Sequence, residues 1–205
     1  MTALSLPAAP KIKASAFKLV RRESFNPLRN GAHQVVELGE PFWSCELSTT
    51  ELSRAQGGSY KLMLARLGTF GTLYVFDQSR PRPLAYHTGG SWGSPMIESV
   101  SRADGTITLS GFAAGAVISA GDYGHWEDGP TRRLHICGPG VADGAGALTL
   151  QVEPAPPQNA AATFPVAFTM EKASAEMVVR DRAIRFAAPV VQELSLAAVQ
   201  VFRRS

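Results

Sequence analysis

The tightest constraint in this sequence is the cadence of its turn signals. Between Met96 and Val152 the chain is cut at short intervals by Asp104-Gly105, Ala120-Gly121-Asp122, Asp128-Gly129-Pro130 and Asp143-Gly144-Ala145-Gly146. Glycine supplies positive φ at no steric cost and aspartate bonds its own backbone two residues on, so such clusters reverse the chain. The segments between them read as short strands: Met96–Ser101, Thr106–Phe112, Val117–Tyr123, Arg132–Cys137 and Ala147–Val152. Short strands at this spacing specify a small antiparallel barrel or sandwich. Glu153-Pro154-Ala155-Pro156-Pro157 ends the run, because proline cannot donate into a sheet ladder.

The flanking regions carry a different pattern. Alternation predicts strands at Ala16–Arg22, Gln34–Leu38 and Phe42–Leu47, the last with Trp43, Cys45 and Leu47 on one face. Asn26-Pro27 and Asn30-Gly31 read as turns between them. Thr69–Phe76 is apolar on both faces and is expected to be a central strand. Thr163–Glu171, Ala175–Val179 and Ala183–Phe186 follow as strands, and the alternation in Leu194–Phe202 favours a strand over a short helix.

One helix is predicted, over 48–67. Ser48 and Glu51 have capping-box spacing, and Leu52, Ala55, Tyr60, Met63 and Leu67 form an apolar stripe that Gly68 terminates. Gly57-Gly58 interrupts it at about 1 kcal/mol per glycine. The pair marks either a close approach of another backbone, within or between subunits, or a weakened surface turn.

The expected fold class is therefore mainly β with one α-helix. Residues 1–13, rich in Ala and Pro, form an N-terminal arm that is floppy or orders against a neighbour. Residues 14–90 and 163–205 make one β domain, and 91–162 an inserted small β-barrel or sandwich. With 45% hydrophobic and 18% charged residues among 205, the chain can fill such cores. The net charge of +3 is dispersed in arginine pairs, not in a run, which argues against a nucleic-acid surface. No apolar run reaches membrane-spanning length and no secretory leader is evident, so synthesis in the cytoplasm without membrane insertion is expected. Cys45 and Cys137 are expected as buried free thiols.

The densest polar cluster is Asp122, His125, Glu127 and Asp128 around Tyr123 and Trp126. A metal site needs three or four converging ligands, and no partner pair lies elsewhere, so the cluster is expected at a hairpin tip. His33, His87, His125 and His135 match no metal helix, and neither a nucleophile elbow nor a phosphate loop is present. Catalytic, metal and cofactor residues are accordingly expected to be none. Trp92 and Trp126 fall in or near loops. Each would either stack on a sugar or anchor a partner, or cover one end of the barrel.

The order of several weak motifs resembles a family. Asn30-Gly31 with Gln34-Val35, then Phe42-Trp43, Leu52-Ser53-Arg54-Ala55 and Leu67-Gly68-Thr69-Phe70-Gly71-Thr72-Leu73 follow one another. Then come Ala120-Gly121-Asp122-Tyr123, Arg133-Leu134-His135, Ala142-Asp143-Gly144-Ala145-Gly146 and Leu150-Gln151-Val152-Glu153-Pro154. Over residues 17–202 this succession resembles phage tail proteins and their prophage and gene-transfer-agent relatives, most closely siphophage distal tail proteins. The resemblance implies a tail-tube-like ring domain with one packed helix, assembled as a hexamer between tail tube and tail tip or baseplate. It implies a virion structural protein, not an enzyme. Its partners would be copies of itself, the tail tube protein and tip or hub proteins, with DNA only passing through the lumen. A glycan-binding receptor module, a tube subunit, a terminator and a tip adaptor are the neighbouring alternatives. The chain departs from the family in having no room for the larger second domain that distal tail proteins frequently carry.

Overall fold

The computed structural model describes residues 4–5, 12–27, 33–49, 52–68, 71–187 and 191–202. In chain order the elements are β1 (Leu4–Ser5), β2 (Ile12–Pro27), β3 (His33–Thr49), α1 (Arg54–Leu67), β4 (Thr72–Phe76), β5 (Gly93–Ser101), β6 (Thr106–Phe112) and β7 (Val117–Ile118). They continue with β8 (Asp122–Asp128), β9 (Thr131–Cys137), β10 (Gly140–Val141), β11 (Leu148–Glu153), β12 (Val166–Ala167), β13 (Ser174–Ala187) and β14 (Val191–Gln200). A 3-10 turn lies at Leu84–Tyr86. The protein is mainly β with one α-helix among the described residues.

Two six-stranded sheets divide the strands. The first runs β1-β4-β13-β14-β3-β2 and draws on both ends of the chain. The second runs β12-β5-β6-β11-β9-β8 and is antiparallel throughout. His125 N–H donates to Thr169 O at 2.9 Å and Thr169 N–H returns a bond to His125 O at 2.8 Å. This bridge joins β8 to the chain just past β12, so the second sheet nearly closes into a barrel. The strand β12 and Thr169 lie beyond residue 162, where the insert was expected to end. The two-stranded ribbon β7–β10 lies outside both sheets.

Alternation along β3 puts Trp43, Cys45 and Leu47 into the core of the first sheet, and α1 covers them with Tyr60, Met63, Leu64 and Leu67. The barrel interior is filled by Ile97, Ile107, Leu109, Trp126, Leu150 and Phe168. Fully burying such a side chain contributes about 1.5–3 kcal/mol, an upper figure because denatured chains already bury some surface. Gly124 is required by this packing: a Cβ there would sit 2.0 Å from Phe168 Cζ. The barrel rests on the sheet through an aromatic trio, with Phe17, Trp43 and Tyr123 centroids 5.2 to 6.0 Å apart. Trp43 Nε1 donates to Leu134 O across the same seam at 2.9 Å.

Several expectations need correction. The helix begins at Arg54, capped by Ser53: Gln56 N–H donates to Ser53 Oγ and Ser53 N–H to Gln56 Oε1. Ser48 cannot serve, because it is a β3 residue opposite Ser195 and Ala14. The strands expected at Gln34–Leu38 and Phe42–Leu47 are one strand of 17 residues. Gly39-Glu40-Pro41 reads as a break but forms a bulge, where Val20 opposes Phe42 and Arg22 opposes Gly39. Asn26-Pro27 belongs to β2, not to a turn; Asn30-Gly31 lies outside the described residues. Ala175–Val179 and Ala183–Phe186 are likewise one strand, β13, with a bulge near Arg180. Of the N-terminal arm, Leu4 and Ser5 pair in parallel with Leu73 and Tyr74 of the same chain, and residues 12–13 belong to β2.

Candidate functional site

The polar cluster at 122–128 is the strand β8, not a hairpin tip, and its side chains are spent on the fold. Asp122 is buried and accepts from the N–H groups of Leu84 and Ser119 at 2.9 and 2.8 Å. Asp128 is buried and accepts from Ala161 N–H, Ala162 N–H and Arg133 Nε. A buried carboxylate without such donors would be costly, so these bonds fix two loops to the barrel. Glu127 pairs with Arg132 across the β8–β9 ladder. Among the described residues no group of three or more His, Cys, Asp or Glu could hold a metal ion.

Both barrel histidines are held neutral. Burial, with help from the Arg132 charge, lowers the His125 pKa to about 3, and His125 Nδ1 accepts from Ser174 N–H at 3.3 Å. Burial lowers His135 to about 4, against the raising effect of its bond to Pro154 O. Trp126 Nε1 can only donate, so His135 Nε2 accepts from it at 3.0 Å and Nδ1 carries the proton toward Pro154 O at 2.7 Å. His135 is a structural link between β8, β9 and the proline segment.

The two candidate tryptophans are not exposed in loops. Trp126 is 1% exposed, lies edge to edge and nearly coplanar with His135, and is tilted against Phe164 at 5.8 Å. Trp92 is 8% exposed, packed edge-on against Tyr86, with the Arg82 guanidinium 5.2 Å above its ring. Neither presents a free face on which a sugar could stack. In α1, Gly57 is buried and Gly58 exposed. A Cβ on Gly58 would meet nothing within 4 Å among the described residues. Cys45 and Cys137 are free thiols, one in each core. Burial pushes Cys45 up to about 12 and raises Cys137 further, which removes the thiolate that nucleophilic chemistry needs.

No family profile matches the chain, and no curated protein matches it either.

The features left without an internal use are the borders of the first sheet. Among the described residues β2 pairs only with β3, and β13 beyond Val178 pairs only with β14. The part of β3 that runs out past the core exposes Val35 (53%), Val36 (39%) and Leu38 (67%). Sequence reasoning saw this segment as a strand but missed that no third strand among the described residues covers it. Val35 and Val36 being adjacent was the signal: neighbouring apolar residues in a strand face opposite ways, so a ribbon with one buried face would leave one of them in water.

At the root of this ribbon a cleft of about 210 Å3 separates it from the barrel, lined by charged side chains including Arg21, Glu40, Arg133 and Glu153. Arg21 bonds Glu153 at 2.7 Å, and Arg133 bonds Glu40 at 2.9 Å and Asp128 at 3.1 Å. No helix among the described residues is long and apolar enough to cross a membrane.

Proposed function

We propose that this chain is a structural ring subunit of a bacteriophage tail, the distal tail protein that joins the tail tube to the tail tip or baseplate. The observation that carries the reading is the pair of unfinished borders on the first sheet. Strands β2, β3, β14 and β13 alternate in direction across it. A neighbouring copy, rotated about an axis along the strands, therefore brings its β13 antiparallel to β2. Bare strand edges are templates for such pairing, and a head-to-tail interface that closes by rotation makes a ring. Each copy would add four strands to one continuous wall, with the helix and the barrel on its outer side. The hexameric number, the tube and hub partners and the DNA passing through the lumen follow from the sequence resemblance, as does the place in the virion.

The glycan-binding alternative is weakened by the burial of Trp92 and Trp126. The barrel inserted between the halves of the sheet favours a distal tail protein over a plain tube subunit, since distal tail proteins often carry a second β domain. The test is sedimentation and negative-stain microscopy of the purified chain across a concentration series. Sixfold rings are expected; a monomer at every concentration, or a closed twofold dimer, overturns the reading.

A further inference from the structure

We infer that the cleft between the β2–β3 ribbon and the barrel is an electrostatic latch that sets the angle of the ribbon. Three observations converge there. The first is a hinge. The β2–β3 register shifts between Val20 and Arg22 and again between Arg22 and Glu23, so two irregularities fall within four residues of β2. Bulges bend a strand locally and weaken the ladder. Outside them the ribbon has, among the described residues, only its own pairing, because β14 reaches no further along β3 than Ser44.

The second is a clamp of opposed polarity at that hinge. Arg21, on β2 opposite the bulge, reaches Glu153 of β11 at 2.7 Å. Glu40, in the bulge of β3, reaches Arg133 of β9 at 2.9 Å. Arg133 is itself anchored by buried Asp128 and lies over the Phe202 ring at 5.2 Å. The ribbon thus offers one cation and one anion, and the barrel offers their complements in the matching order. A sideways shift of the ribbon would oppose like charges, so the pairs select an angle as well as adding attraction.

The third is the weakness of what the latch holds. Glu23 lies directly opposite Glu37, and like charges across a ladder destabilise it. Arg21 Nη1 is 3.8 Å from Glu23 and offsets this from the cleft side. The side chains of Arg21, Glu40 and Glu153 are about half exposed, at 54%, 45% and 46%. Each pair is therefore modest and screened by salt. A hinge closed by two modest pairs opens when either is cancelled, and the lever it releases carries Val35, Val36 and Leu38. The inference concerns the motion of one chain and holds whether or not copies assemble.

The experiment places spin labels at Gln34→Cys on the ribbon and Ala103→Cys on the barrel, both exposed. The full chain is diluted with unlabelled chain, and the distance distribution is read by double electron–electron resonance. The exposed introduced thiols react ahead of buried Cys45 and Cys137, so a short labelling time with mass-spectrometric checking leaves those two unmodified. A narrow distribution is expected at low salt. It should broaden in about 1 M salt, where screening acts over roughly 3 Å, and in Arg21→Glu at low salt. The exchange Arg21→Glu with Glu153→Arg should narrow it again. Equal widths in all four samples overturn the latch, as does a double exchange that stays as broad as the single. Should a variant fold poorly, the salt series on the parent decides alone, and a width unchanged by salt counts against the latch.

Discussion

The two sheets solve the edge problem in opposite ways. The barrel turns its borders toward each other and joins them at His125 and Thr169. Among the described residues the first sheet leaves β2 with one neighbour and the outer half of β13 without a second. Exposed large apolar side chains occur beside both sheets: Val35, Val36 and Leu38 sit on the overhanging part of β3 and Leu62 on α1, whereas the barrel strands proper have none. Near the barrel, Val117 and Val141 lie on the small β7–β10 ribbon and Leu84 on the 3-10 turn. A sheet that closes on itself needs no partner, and one that does not close needs either a device to blunt its edges or a neighbour to finish them. The lesson is that a closed sheet and an unfinished one are separated within one chain, and that the unfinished one draws its strands from both flanks of the barrel.

The comparison can be broken by attacking what makes the barrel self-sufficient. Trp126→Ala removes a fully buried ring and the donor to His135 Nε2. A loss of about 3–5 kcal/mol in urea unfolding is expected for an aromatic-to-alanine change in a core, with near-native secondary structure retained in the first sheet only if the two units unfold separately. A loss under 1 kcal/mol would mean the barrel core is not what the packing implies.

Acid should attack the barrel next. An unfolded histidine titrates near 6.5, and His135 titrates near 4 in the fold, so between those values the unfolded chain binds the extra proton. No penalty applies above pH 6.5; it grows as pH falls toward 4 and then levels off, reaching about 3 kcal/mol for a shift of this size. His125, at about 3, extends the same fall further down. Unfolding midpoints measured from pH 7 to pH 4 check this, with His135→Gln expected to flatten part of the slope. An unchanged slope would show that the imidazole is not held neutral. On the other side of the comparison, Leu38→Lys should alter monomer stability by no more than about 0.5 kcal/mol, as exposed positions do. If the overhanging ribbon belongs to the ring joint, the same change should shift the sedimentation profile toward monomer.

The barrel was legible in part: the strands around Asp104-Gly105 and Asp128-Gly129 reverse at those turns, but Val117–Tyr123, expected as one strand, is β7, a turn and the start of β8, and the segment expected at a hairpin tip is β8 itself. Its closure was not legible, because the bridge between His125 and Thr169 spans a stretch that no local pattern connects. The helix shows the same limit at the scale of five residues. Ser48 and Ser53 both satisfy a capping rule, and only the tertiary pairing of Ser48 with Ser195 decides between them. On β2 and β3, Asn26-Pro27 and Gly39-Glu40-Pro41 carry turn chemistry inside strands, so two long strands read as short ones. The tryptophans failed for a related reason. Glycines beside Trp92 and Trp126 suggest loops, yet Gly124 is there to let Phe168 pack against β8.

The two thiols supply the mildest and most direct comparison. Cys45 lies in the open-bordered sheet and Cys137 in the barrel, both buried and both with raised pKa. Neither can react without local opening, and when reclosing is fast the labelling rate follows the population of the open form. A sheet ending in bare strands should open more often than a barrel whose borders are bonded. Thiol labelling under native conditions, read residue by residue by mass spectrometry, should therefore find Cys45 modified before Cys137 in the monomer. In rings the order should reverse or the rates converge, because a neighbour would then bond the borders that were free. Cys137 reacting first in the monomer would mean the barrel is the looser unit, and the division between a closed and an unfinished sheet would lose its energetic content.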